Sequence, residues 1–231
     1  MKANKIKNNL QKVQAKIQEA TLAHNKPPES ITLIAVSKGH SSEKISELHS
    51  LGQRDFGENY FQEFQEKWDK LSDLDIVWHF IGKLQSNKIK KLAKQANYIH
   101  GLNNQKHARL LETALVAYNK TIKAFININI ENEPQKDGCS PDEALNLALF
   151  ISKECPHIKL QGIMAIPPSK YHDEAFKEPP SAYLHLKTIS KKIGEKQLSL
   201  GMSRDLSIAI AAGSTFLRIG TSLFGPRPPK T

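Results

Sequence analysis

Hydrophobic residues at Ile6, Leu10, Val13, Ile17 and Ala20 step by four, three, four and three. That spacing places them on one face of a helix, and Pro27-Pro28 end it. Downstream, short apolar runs alternate with longer amphipathic ones. The runs predict eight strands, at 31–36, 53–56, 75–81, 97–100, 122–130, 158–166, 197–200 and 215–219. Between them the pattern predicts helices near 42–51, 59–71, 87–96, 104–118, 141–154, 181–193 and 204–212, with a short last one from about 221.

Local signals support these elements. Ser140-Pro141-Asp142-Glu143 combines an N-cap hydroxyl, a proline at the first helical position and a glutamate able to bond back to the cap. Gly52 and Gly213 stand where helix C-caps are expected. Strands alternating with helices across short connections call for parallel pairing with crossover helices. The expected fold is therefore α/β, a single (β/α)8 barrel preceded by one extra helix and spanning residues 1–231 as one domain. A doubly wound open sheet is the rival. Its glycine-rich turn is absent, because the first strand runs into Ala35-Val36-Ser37-Lys38-Gly39.

Charge adds a question about partners. Against 23 Asp+Glu the chain carries 33 Lys+Arg, a formal net charge of +10. The excess is concentrated: residues 1–18 hold five lysines and no acid, and 76–111 hold six lysines plus Arg109 and no acid. Lysines 83, 88, 90, 91 and 94 lie on more than one helix face without aromatic interleaving, which disfavours nucleic acid as the partner. Two cysteines, Cys139 and Cys155, exclude a disulfide framework and have no zinc-ligand spacing, so no metal is expected. No stretch reaches the ~20 apolar residues needed to span a bilayer, and the N-terminus lacks a leader's apolar core. The expectation is a cytoplasmic monomer with no membrane association.

In such a barrel, reactive groups gather at the C-terminal ends of the strands, and phosphates are often held after the seventh and eighth. Gly201-Met202-Ser203 and Gly220-Thr221-Ser222 occupy those two loops and offer backbone N–H groups, hydroxyls and close main-chain approach. Lys38 follows strand one, which closes beside strand eight. It suits either a phosphate contact or, as a neutral amine, a Schiff-base nucleophile, and a phosphorylated aldehyde would engage both halves. A solvated surface lysine is the bland alternative.

Beyond these positions, longer blocks stand in order along the chain. They are Val36-Ser37-Lys38, Phe56-Gly57-Glu58-Asn59-Tyr60, Trp78-His79-Phe80-Ile81-Gly82 with Leu84-Gln85-Ser86-Asn87-Lys88, Gly162-Ile163-Met164-Ala165-Ile166-Pro167, Leu198-Ser199-Leu200-Gly201-Met202-Ser203, and Arg218-Ile219-Gly220-Thr221 through Phe224-Gly225. Together they closely resemble the pyridoxal phosphate homeostasis protein family (YggS/PROSC type), over nearly the whole chain.

The resemblance implies a barrel similar to the N-terminal domain of alanine racemase, with pyridoxal 5′-phosphate (PLP) joined to Lys38. It also implies Ser203, Gly220 and Thr221 at the phosphate, Asn59 near the pyridine ring and Arg218 against the ring nitrogen. A guanidinium there only donates hydrogen bonds, which weakens the ring as an electron sink. With the chain ending soon after the barrel, the expected role is to bind, buffer and hand on PLP, with PLP-dependent apo-enzymes as the expected partners, without efficient amino-acid chemistry. A PLP-dependent racemase or lyase is the alternative. The sequence departs from many family members at His100-Gly101-Leu102-Asn103-Asn104, where they carry an Asp-Arg pair, and in the tail Gly225 to Thr231, where they carry acidic and aromatic residues.

Other residues draw plainer readings. Trp78 and His79 alternate on one strand, so one faces the barrel interior and the other the helices. His79 is read as a structural hydrogen-bonding group, with a general-base role as the sharper option. Asn127 and Asn129 share a face and should bond internally. Met164 is a core contact or a ring neighbour, and Lys136, in a Lys-Asp-Gly turn that resembles the family's Lys-x-Gly, is a surface lysine or a residue of the site mouth.

Overall fold

The computed structural model describes residues 3–171, 176, 178–194 and 197–227. Lys2 and the tail from Pro228 to Thr231 lie outside the described residues. Helix α1 (Ala3–Ala23) comes first and buries the face foreseen in the sequence: Ile6, Leu10, Val13, Ile17 and Ala20 are all buried. Strand and helix then alternate as β1 (Thr32–Val36), α2 (Ser42–Ser50), β2 (Asp55–Glu58), α3 (Phe61–Lys70), β3 (Val77–Phe80), α4 (Ile89–Gln95), β4 (Tyr98–Leu102) and α5 (Gln105–Ala117). The second half continues as β5 (Ile122–Ile128), α6 (Pro141–Glu154), β6 (Ile158–Ala165), α7 (Ser181–Lys192), β7 (Gln197–Ser199), α8 (Leu206–Ala212), β8 (Phe216–Ile219) and α9 (Thr221–Phe224).

The strands pair in parallel in sequence order, and β8 closes on β1 through Thr32↔Phe216 to Ala35↔Ile219. This is the (β/α)8 barrel expected from the alternation. Helix α1 packs against α8 and α9, where Asn9 Nδ2 donates to Leu223 O at 2.8 Å. Two apolar layers result. The larger lies between barrel and helices and includes Trp78, which meets Phe64 edge-on. The smaller fills the barrel with Ile34, Val36, Phe125, Met164 and Phe216.

Caps and breaks follow the sequence signals. Ser140 and Glu143 form the reciprocal capping box at α6. Gly213 ends α8 at φ 107°, and Gly52 follows α2 at φ 98°. Some boundaries differ for local reasons. Strand β2 lies two residues later than its pattern suggested, because Gln53 turns its side chain onto Leu33 O and Asp55 O, at 2.6 and 2.7 Å. Helix α8 opens at Leu206 rather than straight after Ser203, because Asp205 Oδ1 accepts from Met202 N–H at 2.6 Å and holds a turn there.

Candidate functional site

The C-terminal end of β1 delivers Lys38 half-buried at the barrel mouth. Its two flanking residues are clamped. Lys67, on α3, donates to Ser37 O at 2.9 Å, and Gly39 N–H donates to Glu63 Oε2 at 2.7 Å. One α3 face supplies both groups, since Glu63 and Lys67 are four apart and themselves bridge at 3.0 Å. Beneath them Glu58, at the end of β2 and fully buried, accepts at Oε1 from Ser37 Oγ and Lys67 Nζ, each at 2.6 Å. Glu58 Oε2 is buried with no partner among the described residues.

Electrostatics at this end shift Lys38 toward the neutral amine. Partial burial lowers its pKa below the ordinary lysine value, and the cations of Arg227 and Arg218 outweigh the opposing pull of Glu58 and Glu63. Burial also raises the Glu58 carboxyl, against the pull of Lys67. A lysine relieved of its proton is a nucleophile for carbonyl carbon.

Beside Lys38 lie the loops after β8, the strand paired with β1, and after β7. Ser222 N–H donates to Ser203 Oγ at 3.4 Å, which ties the two loops together. Gly220 passes so near β1 that a Cβ on it would stand 3.2 Å from Val36 O, a contact tight enough to press on the strand end, which glycine avoids. Tyr183 OH donates to Asp205 Oδ2 at 2.6 Å and fixes the first loop from behind. Because α8 and α9 are short, the donors here are hydroxyls and individual backbone N–H groups rather than a long helix dipole.

Arg218 forms part of the floor. Its side chain is buried, and Nη1 donates to the carbonyl oxygen of Ser199 and, at 2.7 Å, to Ser199 Oγ. Nη2 donates to Ala165 O at 2.8 Å. Burial lowers the guanidinium pKa to about 10, against the pull of Asp205, and it remains a cation at neutral pH.

One cleft of about 540 Å³ collects Lys38, Asn59, Ser203, Arg218, Gly220 and Thr221, all six residues singled out at strand ends or by motif. Asn59 is held there by a close chain crossing: a Cβ on Gly82 would overlap the Asn59 carbonyl. Lys136 reaches the rim, donating to the carbonyl of the cleft residue Ile166 at 3.1 Å and pairing with Glu133 at 2.6 Å. Met164 and His79 are not in the cleft lining. Met164 is part of the barrel's interior packing, and His79 is fully buried between Asp55 and His100. Asn127 and Asn129 bond internally, to Asp137 and to the backbone of 133 and 136.

The sequence reading missed several residues. Lys16 and Arg227 line the same cleft, although they come from the first helix and the end of the described chain. Glu58 and Lys67 also went unassigned, although Glu58 sat inside a quoted motif. A lysine on the flank of an amphipathic helix carries no mark of what it will face. Among the described residues, no group of three or more His, Cys, Asp or Glu is placed to hold a metal ion, and no helix is long and apolar enough to cross a membrane.

Comparison with known proteins bears on this geometry. The family described as alanine racemase, N-terminal domain, matches residues 2–228. The pyridoxal phosphate homeostasis protein of Pseudomonas aeruginosa is 38% identical over 222 residues, covering 96% of each chain. That of Escherichia coli K12 is 40% identical over 231 residues, covering 97% of each. Among solved structures, PipY of Synechococcus elongatus with PLP bound has a TM-score of 0.76 and 31% identity, over 92% of this chain and 100% of its own. An alanine racemase of Clostridium difficile has a TM-score of 0.73 at 13% identity, over 98% of this chain and 58% of its own, a likeness of fold alone.

Proposed function

The chain belongs to the alanine racemase N-terminal domain family, and we propose that it serves PLP homeostasis: it holds PLP on Lys38, keeps the aldehyde from other amines and passes it on. The observation that carries this reading is the pairing, in one cleft, of a lysine with lowered pKa and a wall of phosphate-type donors. A volume of about 540 Å³ lies within the range of roughly 300 to 1,000 Å³ usual for small-molecule sites.

The residues present fit the group. Ser203, Thr221 and Ser222 offer hydroxyls and N–H groups where Gly220 leaves room, and Lys16 and Arg227 add positive charge for a dianion. Lys38 would hold the aldehyde carbon and Asn59 would border the ring. When bound, PLP supplies an electrophilic aldehyde and an electron-accepting ring. Arg218 would orient the ring nitrogen by donating to it, and a guanidinium that only donates leaves that nitrogen unprotonated. Storage and transfer suit such a site better than amino-acid chemistry. On this reading the recipients are PLP-dependent apo-enzymes, and the protein works as a monomer in the cytoplasm.

The test is titration with PLP, read as the visible band of the lysine-bound cofactor. The wild-type chain gives the band, and Lys38→Ala removes it; an unchanged band in that variant overturns the reading. Mixing the loaded chain with a PLP-dependent apo-enzyme should restore that enzyme's activity while the band declines.

A further inference from the structure

The interior of the barrel contains a polar line that runs from the cleft floor to the opposite end. From Arg218 Nη1 it runs to Ser199 Oγ at 2.7 Å, from Ser199 Oγ to His100 Nδ1 at 3.0 Å, from His100 Nε2 to His79 Nδ1 at 3.0 Å, and from His79 Nε2 to Asp55 Oδ1 at 2.8 Å. Asp55 begins β2, at the barrel end opposite the cleft, and its carboxylate is 27% exposed. Both imidazoles, by contrast, are fully buried.

Donor and acceptor rules orient every link. A guanidinium can only donate and a carboxylate can only accept, so the ends point the same way. The carboxylate requires a proton on His79 Nε2. A neutral His79 then accepts at Nδ1, which requires the proton of His100 on Nε2. His100 accepts at Nδ1, so Ser199 donates its hydroxyl proton there and accepts from Arg218. Each of the three middle groups gives one hydrogen bond along the line and receives one. Burial holds both rings below the ordinary histidine pKa, in keeping with the neutral form.

Neither ring is free to turn. His79 stacks on Tyr98 with centroids 4.3 Å apart, and His100 stacks on Phe125 at 4.5 Å. The line is thus held in register by the aromatic filling of the barrel. Ser199 also takes Arg218 through its backbone carbonyl, so three of the five guanidinium N–H groups are committed inside the barrel.

We propose that Asp55, His79, His100 and Ser199 form a one-directional hydrogen-bond relay that fixes Arg218 from the far end of the barrel, which makes them positioning residues for the cofactor cleft. The proposal rests on the assignment of that cleft to PLP. Its structural half is nevertheless a property of the unliganded chain.

Two measurements test it. Long-range ¹H–¹⁵N correlation on the unliganded, histidine-labelled protein at neutral pH should find His79 and His100 both neutral with the proton on Nε2. A charged ring, or a proton on Nδ1 of either, overturns the relay. In PLP titrations, Asp55→Ala should weaken binding about three- to tenfold, the worth of roughly one hydrogen bond. In a Ser199→Ala background, where the line is already cut, the same substitution should cost little. An equal loss in both backgrounds would mark a general structural effect and overturn the coupling. Absence of PLP binding by the wild-type chain would defeat the cofactor reading, while the tautomer measurement would still decide whether the relay exists.

Discussion

Lys67 Nζ lies 2.6 Å from Glu58 Oε1 in a buried ion pair directly beneath the strand end that presents Lys38. The pair is almost dry, with side-chain exposures of 7% and 0%. An ion pair in that position stabilises little over an apolar substitute, but removing one partner strands a charge.

Lys67→Met should therefore destabilise the fold by about 3 to 5 kcal/mol, because Glu58 would be left buried and unpaired. Urea unfolding monitored by circular dichroism reads this directly. A double variant, Lys67→Met with Glu58→Met, should recover much of the loss. A midpoint unchanged in the single variant would mean the pair is hydrated in solution.

The pH dependence of PLP capture follows from the environment of Lys38. Its pKa is lowered chiefly by burial and next by Arg227. The capture rate should rise with pH as the ammonium loses its proton and level off below the ordinary lysine value. Arg227→Ala removes one repelling cation, so the profile should move toward higher pH and capture at neutral pH should slow. Stopped-flow absorbance across a pH series measures both.

Stability should fall on mild acidification. Burial lowers the pKa of His79 and His100, and His40 is lowered to about 4, again first by burial. Unfolded histidines take up protons near about 6.5. Below that value the unfolded state binds more protons than the folded one, so stability rises with pH in this window and drops as pH falls from 6.5 toward 4. Thermal unfolding between these limits would show the decline. A flat melting temperature there would contradict it.

Gly82→Ala should cripple the site rather than trim it. A Cβ at Gly82 would overlap the Asn59 carbonyl, so β3 and the loop carrying Asn59 would have to separate. PLP affinity should fall at least tenfold, roughly the effect of 1.4 kcal/mol, with a lowered unfolding midpoint.

Much of the molecule was legible in the chain. Alternating strand and helix patterns, the Ser140 cap and the glycine after α8 are local features, governed by side-chain period and backbone conformation, and they give the barrel without reference to distant residues. That the residues at strand ends would share one cleft was legible for the same reason, since the barrel topology sends every strand's C-terminal end to one face. Boundaries slipped where a side chain bonds to nearby backbone, as Gln53 and Asp205 do, because polar side chains compete with the helix and strand patterns.

The +10 charge shows where sequence reading stopped. It appeared as two local lysine excesses, neither near the phosphate-type loops along the chain. In space, α1 packs beside α8 and α9 and brings Lys16 to those loops, while Arg227 comes back beside Gly39 and Lys38. Likewise His79 was visible as a polar residue on an apolar strand. Only closure of the barrel aligned it with His100, Ser199 and Arg218, contributed by three other strands. Period and composition act within one element, so the sequence alone determines elements and their order. Charge pairing and hydrogen-bond direction depend on distances across the closed sheet, and those the tertiary structure decides.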